Sequence, residues 1–144
     1  MKIAIKRIDK TLALPEYKTN GAVGFDLSAR ITTEIPSGEM RLIPLNIVVK
    51  VPKGYGFFLF SRSSTPLKKG LIVANSVGVV DQDYSGEDDE IKLCVLNITK
   101  ETVGVEKGER IAQGVIMKVE RPDFVEVDKM SDKSRGGFGS TGQK

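Results

Sequence analysis

Two carboxylates, Asp81 and Asp83, stand two residues apart where a short apolar run (Val77, Val79, Val80) passes into a polar turn ending at Gly86. In extended backbone, residues two apart share a face, while the side chain between them points the other way. An aspartate at such a strand end is partly desolvated yet open to a ligand, the setting that a general base requires. The same pair is more often a plain solvated turn, so its chemistry depends on what the rest of the chain gathers around it. A second stretch with chemical content is Gly136-Gly137-Phe138-Gly139-Ser140-Thr141-Gly142. Its unhindered amides and hydroxyls suit oxygen anions, and the lone ring of Phe138 can stack on a flat ligand. That mixture fits a flap closing over a nucleotide better than a merely disordered end.

The elements expected to position these groups are mostly strands. Ile3 and Ile5 open one, and Leu12 to Tyr17 is a Pro-containing connector. A glycine-rich approach, Thr19 to Gly24, precedes a short strand through Phe25 to Ala29. Ile35-Pro36-Ser37-Gly38 reads as a turn. Leu45, Ile47, Val49 and Val51 alternate with other residues and predict one half-buried strand. Pro52-Lys53-Gly54 ends it, and Tyr55 to Phe60 forms the next. Ser64 to Gly70 predicts the one helical turn, with a hydroxyl N-cap, an early Pro66 and Gly70 past its end. Leu71 to Ala74 leads into the Asp81 turn. Strands then follow around Ile91 to Val95, Val103 to Val105, and Val115 to Val119. Many short strands and almost no helix predict an all-β jelly-roll-like barrel. A core domain over residues 1–130 is expected, followed by a mobile tail over 131–144 that is too polar and glycine-rich to bury a core.

Composition narrows the function further. At 144 residues the chain suits one domain with a real core. The 22 Lys and Arg exceed the 19 Asp and Glu by too little to argue for nucleic acid, and the aromatics are not interleaved with them. A cationic pocket for a small polyanion is the more economical use of that excess. The chain contains no histidine, which excludes His-based triads, His general bases and His zinc ligands. Its single cysteine, Cys94, can form no intrachain disulfide, and its apolar surroundings predict a small core residue. Met1 to Lys10 alternates Ile with Lys rather than forming the apolar run of a secretion signal, and no segment suits a membrane span. The expected compartment is the cytoplasm.

Over nearly its whole length the chain resembles the trimeric dUTP diphosphatases (dUTPases). Five motifs stand in the family's order: Gly21 to Ala29 around Asp26, Ser61-Arg62-Ser63-Ser64, Asn75 to Gly86, Gly108 to Gln113, and the Gly136 to Gly142 tail. The resemblance implies a jelly-roll-like β-barrel and a homotrimer whose active sites lie between subunits, the tail of one chain closing over each. It implies hydrolysis of dUTP to dUMP and diphosphate by water attack on the α-phosphorus. That reaction limits uracil in DNA and supplies dUMP for thymidylate synthesis. Asp81 matches the general base. Arg62, Ser63, Ser64 and Gln113 match phosphate-binding positions, where Arg and Ser supply donors. Mg²⁺ is expected on triphosphate oxygens with water completing its shell and no direct protein ligand. Asp26 is expected to act through ordered water or structure. Asn75 matches the residue that hydrogen-bonds uracil, with backbone near Val79 reading the base edge. Tyr84 matches the residue against the deoxyribose, where an unpaired buried 2′-hydroxyl would cost about 1–3 kcal/mol. Phe138 is expected to stack over the uracil.

The chain departs from that family pattern in two places. The tail arginine's place is taken by Lys133, with Arg135 two positions later, so either is a candidate for the γ-phosphate contact. Glu87-Asp88-Asp89-Glu90 adds about three residues after Gly86 and reads as a longer solvated hairpin tip. dCTP deaminase shares the fold, but its glutamate three residues before the strand-ending Asn is here Cys94, and a thiol cannot shuttle that proton. A catalytically silent nucleotide sensor would not require Asp81, and a structural jelly-roll subunit has no use for the tail.

Overall fold

The computed structural model describes residues 1–137. Every strand pairing among them is antiparallel. Strand β1 (Ala4–Arg7) pairs with β5 (Ile47–Lys50), and β3 (Thr33–Ile35) with β10 (Val103–Val105). One sheet runs β4 (Met40–Pro44), β9 (Lys92–Asn97), β7 (Leu71–Val73). A four-stranded sheet runs β2 (Phe25–Ser28), β11 (Arg110–Lys118), β6 (Tyr55–Ser61), β8 (Gly78–Val80). The fold is all-β and jelly-roll-like, with α1 (Ser64–Lys69) as the one helix among the described residues. No helix there is long and apolar enough to cross a membrane.

Strand β6 is the centre of this arrangement. Its aromatic-rich sequence, Tyr-Gly-Phe-Phe-Leu-Phe-Ser, favours a pleated, half-buried surface. Phe57 and Leu59 point inward and join Leu27, Ile43, Leu93 and Ile111 in the core. The Phe57 ring stacks on Phe25 with centroids 5.6 Å apart. Two glycines allow the neighbouring strands to come this close. A Cβ at Gly114 would lie 2.4 Å from the Phe57 ring, and one at Gly78 would lie 2.9 Å from Leu59 Cβ.

Three expectations need adjustment. The run from Leu45 to Val51 is not one alternating strand: Asn46 takes a left-handed φ of 67°, separating β4 from β5. Asn46 and Val48 are buried along with Leu45, Ile47 and Val49, so both sides of this segment face protein. Cys94 faces away from the core that Leu93 and Val95 enter, and pairs across to the exposed Leu42. Helix α1 uses no hydroxyl cap. Ser63 at its N-cap makes no capping bond, while Gly70 closes the C-terminus in a left-handed conformation with its N–H on the Pro66 carbonyl. The chain after Lys118 forms no helix or strand as far as residue 137, and Phe124 is 96 % exposed.

Gly78→Ala should push β8 off β6 and lower stability by about 1–3 kcal/mol, as overpacking does. Urea denaturation of the two proteins would measure this, and an unchanged midpoint would refute the close approach.

Candidate active site

The predicted residues fall into two clefts that share no side chain. The first, of about 410 Å³, is lined by Asn75, Gly78, Val79, Asp81 and Tyr84, with Leu42, Leu59, Val80, Ile91 and Lys92 completing it. The second, of about 280 Å³, is lined by Arg62, Ser63, Ser64, Gln113 and Asp26, together with Lys18, Gly24 and Arg110. Lys133 and Arg135 are exposed and line neither. Phe138 lies outside the described residues, as does the rest of the expected flap from Gly139 to Gly142.

The first cleft is built on β8. A tight turn, with Ser76 at a φ of 64°, delivers the chain into β8, which pairs Gly78, Val79 and Val80 with Leu59, Phe58 and Phe57. Val79 is 65 % exposed and offers an apolar wall with backbone on either side. Asp81 follows at the strand end, exposed, its carboxylate on the cleft. The Tyr84 N–H donates to the Asp81 carbonyl at 3.2 Å, so residues 81–84 form a turn rather than extended backbone. Asp81 lines this cleft with Tyr84 but not Asp83, while on its other side Asp81 and Asp83 together border a further cleft of about 580 Å³ with Tyr55, Gln82 and Arg121. Gln82 ties the turn to the sheet through Nε2 on the Tyr55 carbonyl at 2.8 Å.

The acidic run after Gly86 is only partly solvated. Glu87 pairs with Lys6 of β1, and Asp89 accepts from the Gly86 N–H at 2.6 Å. Glu90 is 7 % exposed. Its two oxygens accept from Arg30 Nε and Nη2 at 2.7 and 2.8 Å, and one also accepts from the Asn46 N–H at 2.9 Å. This two-pronged bond raises the Arg30 guanidinium above its usual range. The Glu90 carbonyl accepts from the Tyr84 hydroxyl at 3.3 Å. A run of four acids looks solvated in sequence because nothing local marks the one that meets an arginine sixty residues away.

The second cleft gathers its charge around one carboxylate. Asp26 sits on β2, level with Gln113 of β11, and is 15 % exposed. Its Oδ1 accepts from Arg62 Nε at 2.9 Å and its Oδ2 from Arg110 Nη1 at 2.8 Å. Arg62 also donates Nη1 to the Arg110 carbonyl at 3.2 Å. A guanidinium carries five N–H groups, so both arginines keep donors free for a further anion. Arg110 was not singled out from the sequence, although it lies inside the fourth motif. A register shift between Arg110 and Ala112 places it, burying Ile111 and Ala112 in succession and turning Arg110 toward Asp26. Gln113 donates Nε2 to the Ser61 carbonyl at 3.1 Å, and the missing side chain of Gly24 leaves room for its Oε1. Ser63 has a hydroxyl unspent on the helix and facing the cleft. Near the rim, the Lys18 ammonium lowers the Glu16 carboxyl below its ordinary range by hydrogen bonding.

A family model described as dUTPase matches residues 10–142. A deoxyuridine 5′-triphosphate nucleotidohydrolase of Hydrogenobaculum sp. is 42 % identical over the full length of both chains. One from Helicobacter pylori is 38 % identical over 99 % of this chain and 97 % of its own. Among solved structures, the dUTPase of Streptococcus mutans superposes with a TM-score of 0.76 at 37 % identity, covering 83 % of this chain and 98 % of that one. The dUTPase of Staphylococcus bacteriophage 80alpha with dUPNHPP gives 0.86 at 26 % identity, covering 99 % of each chain.

Asp26→Asn should replace one charged acceptor pair by a neutral amide and free both arginines. A loss of about 1–2 kcal/mol is expected, below the full value of a hydrogen bond to a charged group because the arginines are partly solvated. Thermal unfolding at low and high salt would check it; equal stability at low salt would show that the carboxylate organises nothing.

Proposed function

The chain belongs to the dUTPase family and is an enzyme that hydrolyses dUTP, and we propose that it does so by in-line attack of water on the α-phosphorus with Asp81 as general base. The observation that carries this reading is the complementary chemistry of the two clefts. One offers an exposed carboxylate beside an apolar slot with hydrogen-bonding groups, the other a cluster of guanidinium, hydroxyl and amide donors. In the slot, Asn75 and the backbone around Val79 hold the uracil edge, with no room for a thymine methyl. Tyr84 lies against the deoxyribose and leaves a 2′-hydroxyl unpaired. Arg62, Ser63, Ser64 and Gln113 bind the phosphates, and Arg110 joins them through Asp26. In the tail, Lys133 or Arg135 reaches the γ-phosphate and Phe138 covers the base.

A positioned base contributes about 10²–10⁴-fold to the rate. The larger share falls to charge stabilisation and alignment by the cationic cleft. A divalent metal belongs to this chemistry. Both oxygens of Asp26 are already engaged by arginines. That carboxylate would meet Mg²⁺ through water rather than as a direct ligand, the metal being held mainly by the triphosphate. Bound there, Mg²⁺ neutralises phosphate charge.

The two clefts act most readily on one substrate when they come from different chains. Asp81 follows Val80, which pairs with Phe57, so it sits level with Gly56 at the start of β6. Arg62 follows the other end of the same strand. Six residues of extended backbone span roughly 20 Å, a gap that one triphosphate would bridge within a single chain only with both side chains stretched toward it. A homotrimer with sites shared between subunits resolves this, with residues 1–130 as its core and 131–144 as the closing tail. Apolar surface supports the assembly: Met40, Leu42, Ile72, Cys94 and Leu96 form an outward face on the β4-β9-β7 sheet, and Leu42 continues it into the first cleft. We place the activity in the cytoplasm, where removing dUTP limits uracil in DNA and yields dUMP for thymidylate synthesis.

Purified protein should release diphosphate from dUTP with Mg²⁺ far faster than from UTP, dCTP or dTTP; deamination of dCTP, or binding of dUTP without turnover, would overturn this reading. Asp81→Asn should reduce kcat by about 10²–10⁴-fold with nucleotide binding kept. Mixing Asp81→Asn with Arg62→Ala, each nearly inactive, should restore activity to about a quarter of the sites after random reassembly. Failure to complement after proven subunit exchange would assign both clefts to one chain.

A further inference from the structure

The segment between Asp81 and Ile91 carries the proposed base and sugar-facing residues, yet its tip is exposed, with Glu87 and Asp88 in solvent. Its C-terminal leg is fixed at one deep point. Glu90 is clamped by both prongs of Arg30 and by the Asn46 N–H, and the next residue, Ile91, is hydrogen-bonded in both directions to Leu45 and Ile47. Asn46 has the left-handed backbone that separates β4 from β5, so its N–H faces Glu90 rather than a neighbouring strand. The one side chain of the segment that reaches this anchor is Tyr84, through its hydroxyl on the Glu90 carbonyl.

We infer that Glu90, held by Arg30, is a positioning residue that sets the Tyr84 ring and thereby the discrimination between deoxyribose and ribose. It touches no substrate itself. The inference rests on the reading of Tyr84 as the residue against the sugar. The physical argument is one of freedom. A tyrosine ring on an exposed turn can swing about two torsions, and a wall that swings excludes a hydroxyl poorly. Fixing the phenol oxygen on an immobile carbonyl removes that swing, while a two-pronged charge-assisted bond holds the carbonyl's own residue in place. Gln at position 90 would keep the shape and the Asn46 contact but weaken the hold of Arg30.

The test compares the full-length wild type, Glu90→Gln, Tyr84→Phe and the double variant for hydrolysis of dUTP and UTP. Alongside, ring resonances of ¹³C-labelled tyrosine are recorded without nucleotide. Glu90→Gln should lower the ratio of kcat/KM for dUTP over UTP by about three- to tenfold, the range set by one hydrogen bond. The change should lie in KM rather than kcat. Tyr84→Phe should lower the ratio by a similar factor, and the double variant no further. The Tyr84 resonance, assigned by its loss in Tyr84→Phe, should move in Glu90→Gln while those of Tyr17 and Tyr55 stay. Equal loss of both activities with the ratio intact would reduce Glu90 to a structural anchor and overturn the inference. Should Glu90→Gln not fold, an unchanged ratio in Tyr84→Phe overturns it alone. A wild type without preference for dUTP defeats the functional reading instead. The Tyr84 resonance then still decides whether Glu90 holds the ring, since an unmoved line in Glu90→Gln refutes the contact.

Discussion

Strand β6 pairs with β11 along one edge and with β8 along the other, and this double pairing governs everything the chain can do. Register in an antiparallel sheet is all-or-none, because a one-residue slip would turn every inward side chain outward. With Phe57 and Leu59 buried, β6 cannot slip, and its neighbours inherit the constraint. Asp81 is thereby held at one end of the strand and Arg62 at the other. The glycines at 78 and 114 let this happen by removing side chains that the close strands could not hold. Precision in the site thus comes from core packing rather than from the site residues.

A carboxylate–guanidinium node stands at or near each cleft, and the two nodes are built differently. In the pair of Glu90 with Arg30 only the carboxylate is buried, the guanidinium staying partly solvated, and its value is positional: the acid is held by two prongs of Arg30 and by the Asn46 N–H. Asp26 with Arg62 and Arg110 is at a cleft wall, where both cations remain partly solvated. One acid between two bases leaves a net positive charge there. That surplus attracts a polyanion, while the carboxylate keeps the two like charges from repelling each other apart. Replacing Asp26 by a neutral residue would raise that positive charge and lose the alignment.

Much of this was legible in the sequence wherever the signal was local. The helix could be read from Pro66 and Gly70, the strand through Tyr55 to Phe60 from its aromatics, and the Asp81 turn from its polar content closed by Gly86. What could not be read depended on distant partners. Nothing near Leu45 announces that Asn46 will take a left-handed φ, because the hydrogen bonds that hold it come from Asp9 and Glu90. Arg110 needs a bulge to reach Asp26, and bulges leave no periodic mark. Cys94 alternates correctly with Leu93 and Val95, but alternation assigns a side only once the buried side is known. The three-residue extension after Gly86 hid a buried acid among exposed ones for the same reason.

A single chain leaves too much apolar surface for its folded form to be the end of the matter. Phe124, Val125 and Val127 lie exposed along a segment with no strand or helix of its own, and the outer face of the β4-β9-β7 sheet carries Met40 and Leu42 in solvent. Burying one such side chain is worth about 1.5–3 kcal/mol, so a handful of them exceeds the cost of bringing chains together. The same surface abuts the Asp81 cleft through Leu42. The apolar patch and the Asp81 cleft thus meet at Leu42, so whatever covers the one borders the other.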